Sequence, residues 1–199
     1  MDETYKWTCD VELDQGGRTE SQEGIFKGLP IILDLFKRYN IKALFFISTE
    51  LLEDFTGQIT PASRVLQRIM TDGHEVGSHG HFHIKYPTMQ RLIEDKRLSE
   101  DILRKRGVEN PQYRAPKFDK RTWNWSPPYS DPTNHVSLLK LNNLKLKLKS
   151  QIVYLHPFDI VEAKNPPNLF CRLWYSRPRK ALQLFENLLK KYPGEHRLI

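Results

Sequence analysis

The segment KALFFIS, residues 42–48, constrains the fold more than any other stretch of this chain. It is an apolar run of strand length with no polar alternation, as expected of a strand covered on both faces. Such strands belong to parallel sheets with helices packed outside, and the flanking sequence supplies helices. Before it, residues 24–40 place Ile25, Leu29, Ile32, Leu33 and Phe36 at helical spacing. Pro30 is expected to kink that helix or delay its start, and Asn40 to end it. After it, Thr60 and Pro61 read as the N-cap and first position of a helix to about residue 73, with Val65, Leu66 and Ile69 inward.

The alternation continues along the chain. Residues 5–11 (YKWTCDV) read as a strand, residues 74–78 as another, and residues 112–117 as a fourth strand or strand end. Between the last two, Thr88 caps a helix to about residue 106 whose apolar face includes Leu92, Leu98 and Leu103. Residues 151–157 form a late strand, and residues 178–192 a closing helix bearing Leu182, Phe185, Leu188 and Leu189. Strands alternating with helices argue for βαβ units and a parallel sheet or barrel. In such folds the active site lies at the C-terminal ends of the strands. Asp10, Glu12, His79, His83 and Arg114 all fall at those positions.

Residues 74–83, HEVGSHGHFH, hold four of the seven histidines. His79 and His83 are four apart, so one helical turn or tight loop can aim both imidazoles at one point. Two imidazoles and an oxygen ligand make an open site suited to a transition metal that activates water. Taken alone the pair is a short pattern, more often a solvated loop or a hydrogen-bonded core histidine than a metal site. Asp10 and Glu12, two apart on a strand, face the same side.

A chain of 199 residues fits one domain with one substantial core. No apolar run approaches the roughly 20 residues that cross a membrane. The first residues lack the basic cap and apolar stretch of a signal peptide, so a cytoplasmic location is expected unless a leader has been removed. Two cysteines, Cys9 and Cys171, imply no disulfide framework. The net charge of +7 favours anionic partners, but no nucleic-acid-binding motif accompanies it, so nucleic acid is not expected. The alternation LNNLKLKLK, residues 141–149, suggests a strand with one cationic face. That is usually a lysine-guarded edge, and it is compatible with a phosphate- or lipid-linked substrate or contact with a membrane surface. Residues 119–132 lose periodicity; Trp123, Trp125 and Tyr129 there either stack on a sugar ring or plug the end of a barrel.

Four segments occur in a meaningful order: TCDVE at 8–12, SHGHFH at 78–83, RAPKF at 114–118 and LHP at 155–157. With them the chain resembles the polysaccharide deacetylase (NodB-homology) superfamily, carbohydrate esterase family four and its relatives. The resemblance implies a single catalytic domain with a distorted, incomplete (β/α) barrel and a divalent metal, zinc first and cobalt or manganese next. It implies a hydrolase that removes an N-acyl group, acetyl or formyl, from an amino sugar in a polysaccharide or its nucleotide- or lipid-linked precursor. By that similarity His79 and His83 are metal ligands, Asp10 the catalytic base, Arg114 the residue that holds it, and His156 the general acid.

The departures are specific. Where the family's first motif, Thr-Phe-Asp-Asp-Gly, has its second Asp, this chain has Val11, which cannot ligate. Glu12 is expected to supply that oxygen, as in a divergent branch of the superfamily. Lys117 replaces the aromatic residue of the Arg-Pro-Pro-Tyr segment, and its backbone N–H is expected to bind an oxyanion. The Trp/Asp motif that supports the catalytic histidine is not found in the sequence. These departures leave a second expectation, a catalytically inactive carbohydrate-binding homologue.

Overall fold

The computed structural model describes residues 6–14, 21–53, 61–126, 128–130, 135–138, 152–162 and 178–191. Its centre is a parallel sheet of β1 (Lys6–Val11), β2 (Leu44–Ile47), β3 (Glu75–Ser78), β4 (His135–Ser137) and β5 (Ile152–Leu155), in the order β3-β2-β1-β5-β4. Outside it run α1 (Leu29–Arg38), α2 (Pro61–Thr71), α3 (Met89–Arg104) and α4 (Pro178–Lys191). Among the described residues the sheet does not close, in keeping with the distorted, incomplete barrel that the family resemblance implied. The expected strand at 141–149, the Thr60 cap and Cys171 lie outside the described residues.

The sequence of β1 shows how the sheet divides core from site. Trp7, Cys9 and Val11 join the apolar cluster on one face, while Thr8, Asp10 and Glu12 are buried on the other. Trp7 meets Phe36 of α1 and Phe185 of α4 edge-on, with centroids 6.3 and 5.6 Å apart, so aromatic contacts hold both helices to this face. Phe45 and Ile47 of β2 join the same cluster. Phe46 points the opposite way, and bare Gly77 makes room for it. A Cβ there would lie 2.8 Å from both the Phe46 ring and the Gln112 carbonyl.

Of the two outcomes expected at Pro30, the delayed start is the one observed: the chain enters through a π-helical turn, Gly24–Gly28, and α1 begins only at Leu29, with Pro30 in its first turn and no kink. A second expectation needs correction. In α3, capped by the Thr88 hydroxyl accepting from Arg91 N–H at 3.3 Å, Leu98 is 46% exposed rather than inward. The buried face follows Leu92, Asp95, Ser99 and Leu103, spaced by three and four, and Leu98 falls off that line. Polar residues occupy the face because it abuts the histidine loop, not only the core.

The strand expected at 112–117 is reduced to one backbone bridge between Tyr113 and Ser78. Pro116 starts a 3-10 turn, Pro116–Phe118, in which Lys117 and Phe118 adopt left-handed φ values of 57° and 49°. Extended structure cannot continue through them. Strand β4 was not anticipated; three residues carry no usable periodicity.

Candidate active site

Beyond β3 the chain turns sharply through His79, His81 and His83. Asp95 of α3 fastens the turn: its carboxylate accepts the backbone N–H of His81 at 3.0 Å, that of Phe82 at 3.1 Å, and the Tyr86 hydroxyl. The ring of His81 lies against Thr49 Oγ1 at 3.0 Å, with Nε2 3.7 Å from Glu53, apart from the other two histidines. His79 and His83 face Glu12 instead. Their Nε2 atoms stand 3.2 and 2.5 Å from Glu12 Oε2, and the ligand atoms of all three residues lie within 4.8 Å of one another.

This donor set fits a divalent cation. Glu12 Oε2 is buried and finds no hydrogen bond of good geometry despite the two nitrogens beside it. His79 Nδ1 lies 2.8 Å from the Arg114 carbonyl, which can only accept, so Nδ1 carries the proton and the neutral ring turns a lone pair from Nε2 toward the carboxylate. Either an added proton or a cation must separate those lone pairs. Two imidazoles and a carboxylate, with a backbone carbonyl orienting one ring, are a three-ligand set that leaves a coordination position open. Burial alone would raise the Glu12 pKa, but His79 and His83 hold it well below the carboxylate range. Burial likewise works against charge on His79, yet Asp10 and Glu12 push its pKa above the ordinary value. Val11 points into the core, so Glu12 is the residue that faces the histidines.

Asp10 lies on the same face as Glu12 and is 2% exposed. Arg114, fully buried, places Nη1 2.5 Å from Asp10 Oδ1. Its Nη2 donates to Thr8 Oγ1 and to His135 Nε2, both at 3.0 Å, and its Nε to the Tyr129 carbonyl at 3.1 Å. The guanidinium carbon sits 4.1 Å above the Phe46 ring. Burial would raise the Asp10 pKa; Arg114, with His79 and His156, overcomes it and keeps the carboxyl below its usual range.

His156 follows β5 and stands at the start of the 3-10 turn Pro157–Ile160. Asp159 Oδ2 accepts its backbone N–H at 2.8 Å and lies 3.3 Å from ring Nδ1, while the Phe158 ring stacks on it at 4.7 Å. The other nitrogen, Nε2, faces Glu12 Oε1 at 3.8 Å. Burial depresses the imidazole pKa, but Asp159, then Glu12 and Asp10, raise it to about 9. The support missing from the sequence reading is thus Asp159, three residues after the histidine. The pattern His-Pro-x-Asp was a readable capping signal. Asp95 and His135 were also missed, because nothing local marks a residue whose partners are 9 to 21 positions away.

Lys117, Trp123 and Trp125 are the three residues expected at the substrate. The Lys117 side chain is exposed on its left-handed turn. Trp125 packs on Tyr113 at 5.5 Å with Lys96 above it, and Trp123 lies under Lys120. Both tryptophans are half-buried.

This arrangement of sheet and strand-end residues coincides with family membership: residues 24–148 match the polysaccharide deacetylase family, and the chain belongs to it. The match contains His79, His83 and Arg114, begins after Asp10 and Glu12, and ends before His156. A Bacillus cereus protein named peptidoglycan-N-acetylglucosamine deacetylase is 30% identical over 102 residues, which are 51% of this chain and 31% of that one. The chain thus spans about a third of that relative. Among solved structures, the Xyl-CE4 domain of a multidomain xylanase from the hindgut metagenome of Trinervitermes trinervoides is 17% identical with a TM-score of 0.58, over 96% of this chain and 86% of that one. A Streptococcus mutans CE4 esterase is 16% identical with a TM-score of 0.59, over 96% and 82%. At these identities the structures speak for the fold.

Proposed function

We propose that the protein is a metal-dependent hydrolase that removes an N-acyl group, acetyl or formyl, from an amino sugar. The observation that carries this reading is the meeting of Glu12, His79 and His83 at one point, with Asp10 and His156 on the same face. Glu12, His79 and His83 would hold a divalent cation, zinc by preference for this donor set, which would supply a Lewis acid for the amide carbonyl. Asp10, kept ionised by Arg114, takes a proton from the water that attacks the carbonyl carbon. The Lys117 backbone N–H stabilises the developing oxyanion. His156, protonated at neutral pH and oriented by Asp159, gives its proton to the nitrogen as the C–N bond breaks. Trp123 and Trp125 contribute sugar contacts from the adjoining loop.

The test uses the purified protein with N-acetylglucosamine oligomers and with N-acetyl and N-formyl sugar nucleotides, followed by mass spectrometry with and without a chelator. About one divalent ion per chain is expected, lost in His79→Ala, together with metal-dependent loss of the acyl mass. Turnover in Asp10→Asn within a few-fold of wild type would refute the assigned base. Sugar binding with neither bound metal nor turnover would establish the inactive carbohydrate-binding homologue instead.

A further inference from the structure

His135 has no part in the scheme above, yet it sits against the residue that organises it. It stands on β4, and its Nε2 lies 3.0 Å from Arg114 Nη2. A guanidinium has donors only, so Nε2 must present a lone pair and His135 is held as the neutral Nδ1–H tautomer. Phe118 and Tyr154 fix the plane of its ring, with centroids 5.3 and 6.2 Å away at interplanar angles of 59° and 69°.

Arg114 is a rigid planar fork, so what constrains Nη2 also sets where Nη1 points. The stack over Phe46 resists tilting out of plane but not rotation within it. In-plane rotation is resisted by the Tyr129 carbonyl at Nε and by two acceptors at Nη2. Thr8 adjoins Asp10 on β1 and pulls toward the same strand, whereas His135 reaches in from the far edge strand. We propose that His135 is a positioning residue. By accepting from Arg114 Nη2 it sets the guanidinium so that Nη1 meets Asp10, and thereby aims the carboxylate that acts as base. The inference rests on the functional reading above.

The experiment compares His135→Phe and His135→Leu, which fill the space without an acceptor, with His135→Gln, whose side-chain oxygen can reach the position of Nε2. Rates on the N-acetylated oligomers are measured alongside hydrogen exchange of the Arg114 guanidinium protons by ¹⁵N-resolved NMR. Expected for the Phe and Leu variants is a fall in kcat of about 10- to 100-fold with KM within about twofold, faster guanidinium exchange, and recovery of both in His135→Gln. Wild-type rates and exchange in the Phe and Leu variants would overturn the proposal. So would loss of fold in both, which would assign His135 to the core instead. A wild-type protein that hydrolyses no sugar amide sinks the functional reading alone, and the guanidinium exchange still decides the role of His135.

Discussion

Replacing Arg114 by methionine tests how the buried polar centre is held together. The substitution keeps an unbranched apolar stem over Phe46 and removes the charge and four hydrogen bonds at 2.5, 3.0, 3.0 and 3.1 Å. Asp10 is then a carboxylate, 2% exposed, facing no cation on that side. Breaking a buried pair in this way costs about 3 to 5 kcal/mol. A value of about 4 kcal/mol corresponds to a fall in Tm of roughly 10 °C for a domain of this size. The penalty falls on the ionised carboxyl. Wild-type Asp10, its pKa lowered by folding, adds stability above its unfolded pKa and loses it as pH falls through the folded one. Without Arg114, burial dominates and the sign reverses, so Arg114→Met should be relatively less damaging in acid. The double variant Asp10→Leu with Arg114→Met removes both charges and should regain at least about 2 kcal/mol, since an apolar replacement of a buried pair is often neutral. Urea unfolding followed by circular dichroism measures all three proteins at pH 7 and near pH 4. A loss below about 1 kcal/mol for Arg114→Met, or a double variant no more stable than that single one, would refute the account of a buried charge in need of its partner.

Three further outcomes are expected. Asp159→Asn removes the foremost partner raising His156. The stability this histidine contributes, full below the unfolded imidazole pKa and lost as pH rises through about 9, should be lost at lower pH, with the NMR titration midpoint in metal-free protein down by about a unit; an unchanged midpoint would clear Asp159 of that role. His74, its Nδ1 accepting Ala43 N–H at 3.2 Å between Phe36 and Phe45, is held neutral by burial with its pKa near 4. Because the unfolded chain takes up that proton first, stability should fall by about 2 kcal/mol as pH drops from 6.5 to 4, and an equal acid slope in His74→Leu would remove the assignment. Gly28→Ala places a Cβ 1.9 Å from the Pro157 carbonyl oxygen, which must displace the turn behind His156. A cost of about 1 to 3 kcal/mol and a fall in activity are expected, and an unaltered thermal melt would refute that close approach.

The strand and helix pattern was legible wherever one strong physical rule operated locally. The doubly buried run at 42–48, the alternation of β1 and the capped helix after Thr88 each satisfy backbone and burial demands within a short window, and all three appear in the structure. The reading failed where tertiary contacts outweighed that local signal. Leu98 looked inward by composition, but the inward face of α3 was needed by Asp95 to fasten the histidine turn. The strand expected at 112–117 gives way to left-handed Lys117 and Phe118.

From its residues alone, this chain determines a parallel α/β sheet and the placement of Asp10 and Glu12 on one face, because helix and strand periods are properties of the local backbone. Only the tertiary structure decides that Glu12 completes the histidine pair and that His135 braces Arg114. Both depend on which strand lies beside which and on the rotation of each side chain in a buried, low-dielectric centre. There, charge must be matched across 21 to more than 100 residues of chain, and no window of sequence contains both partners.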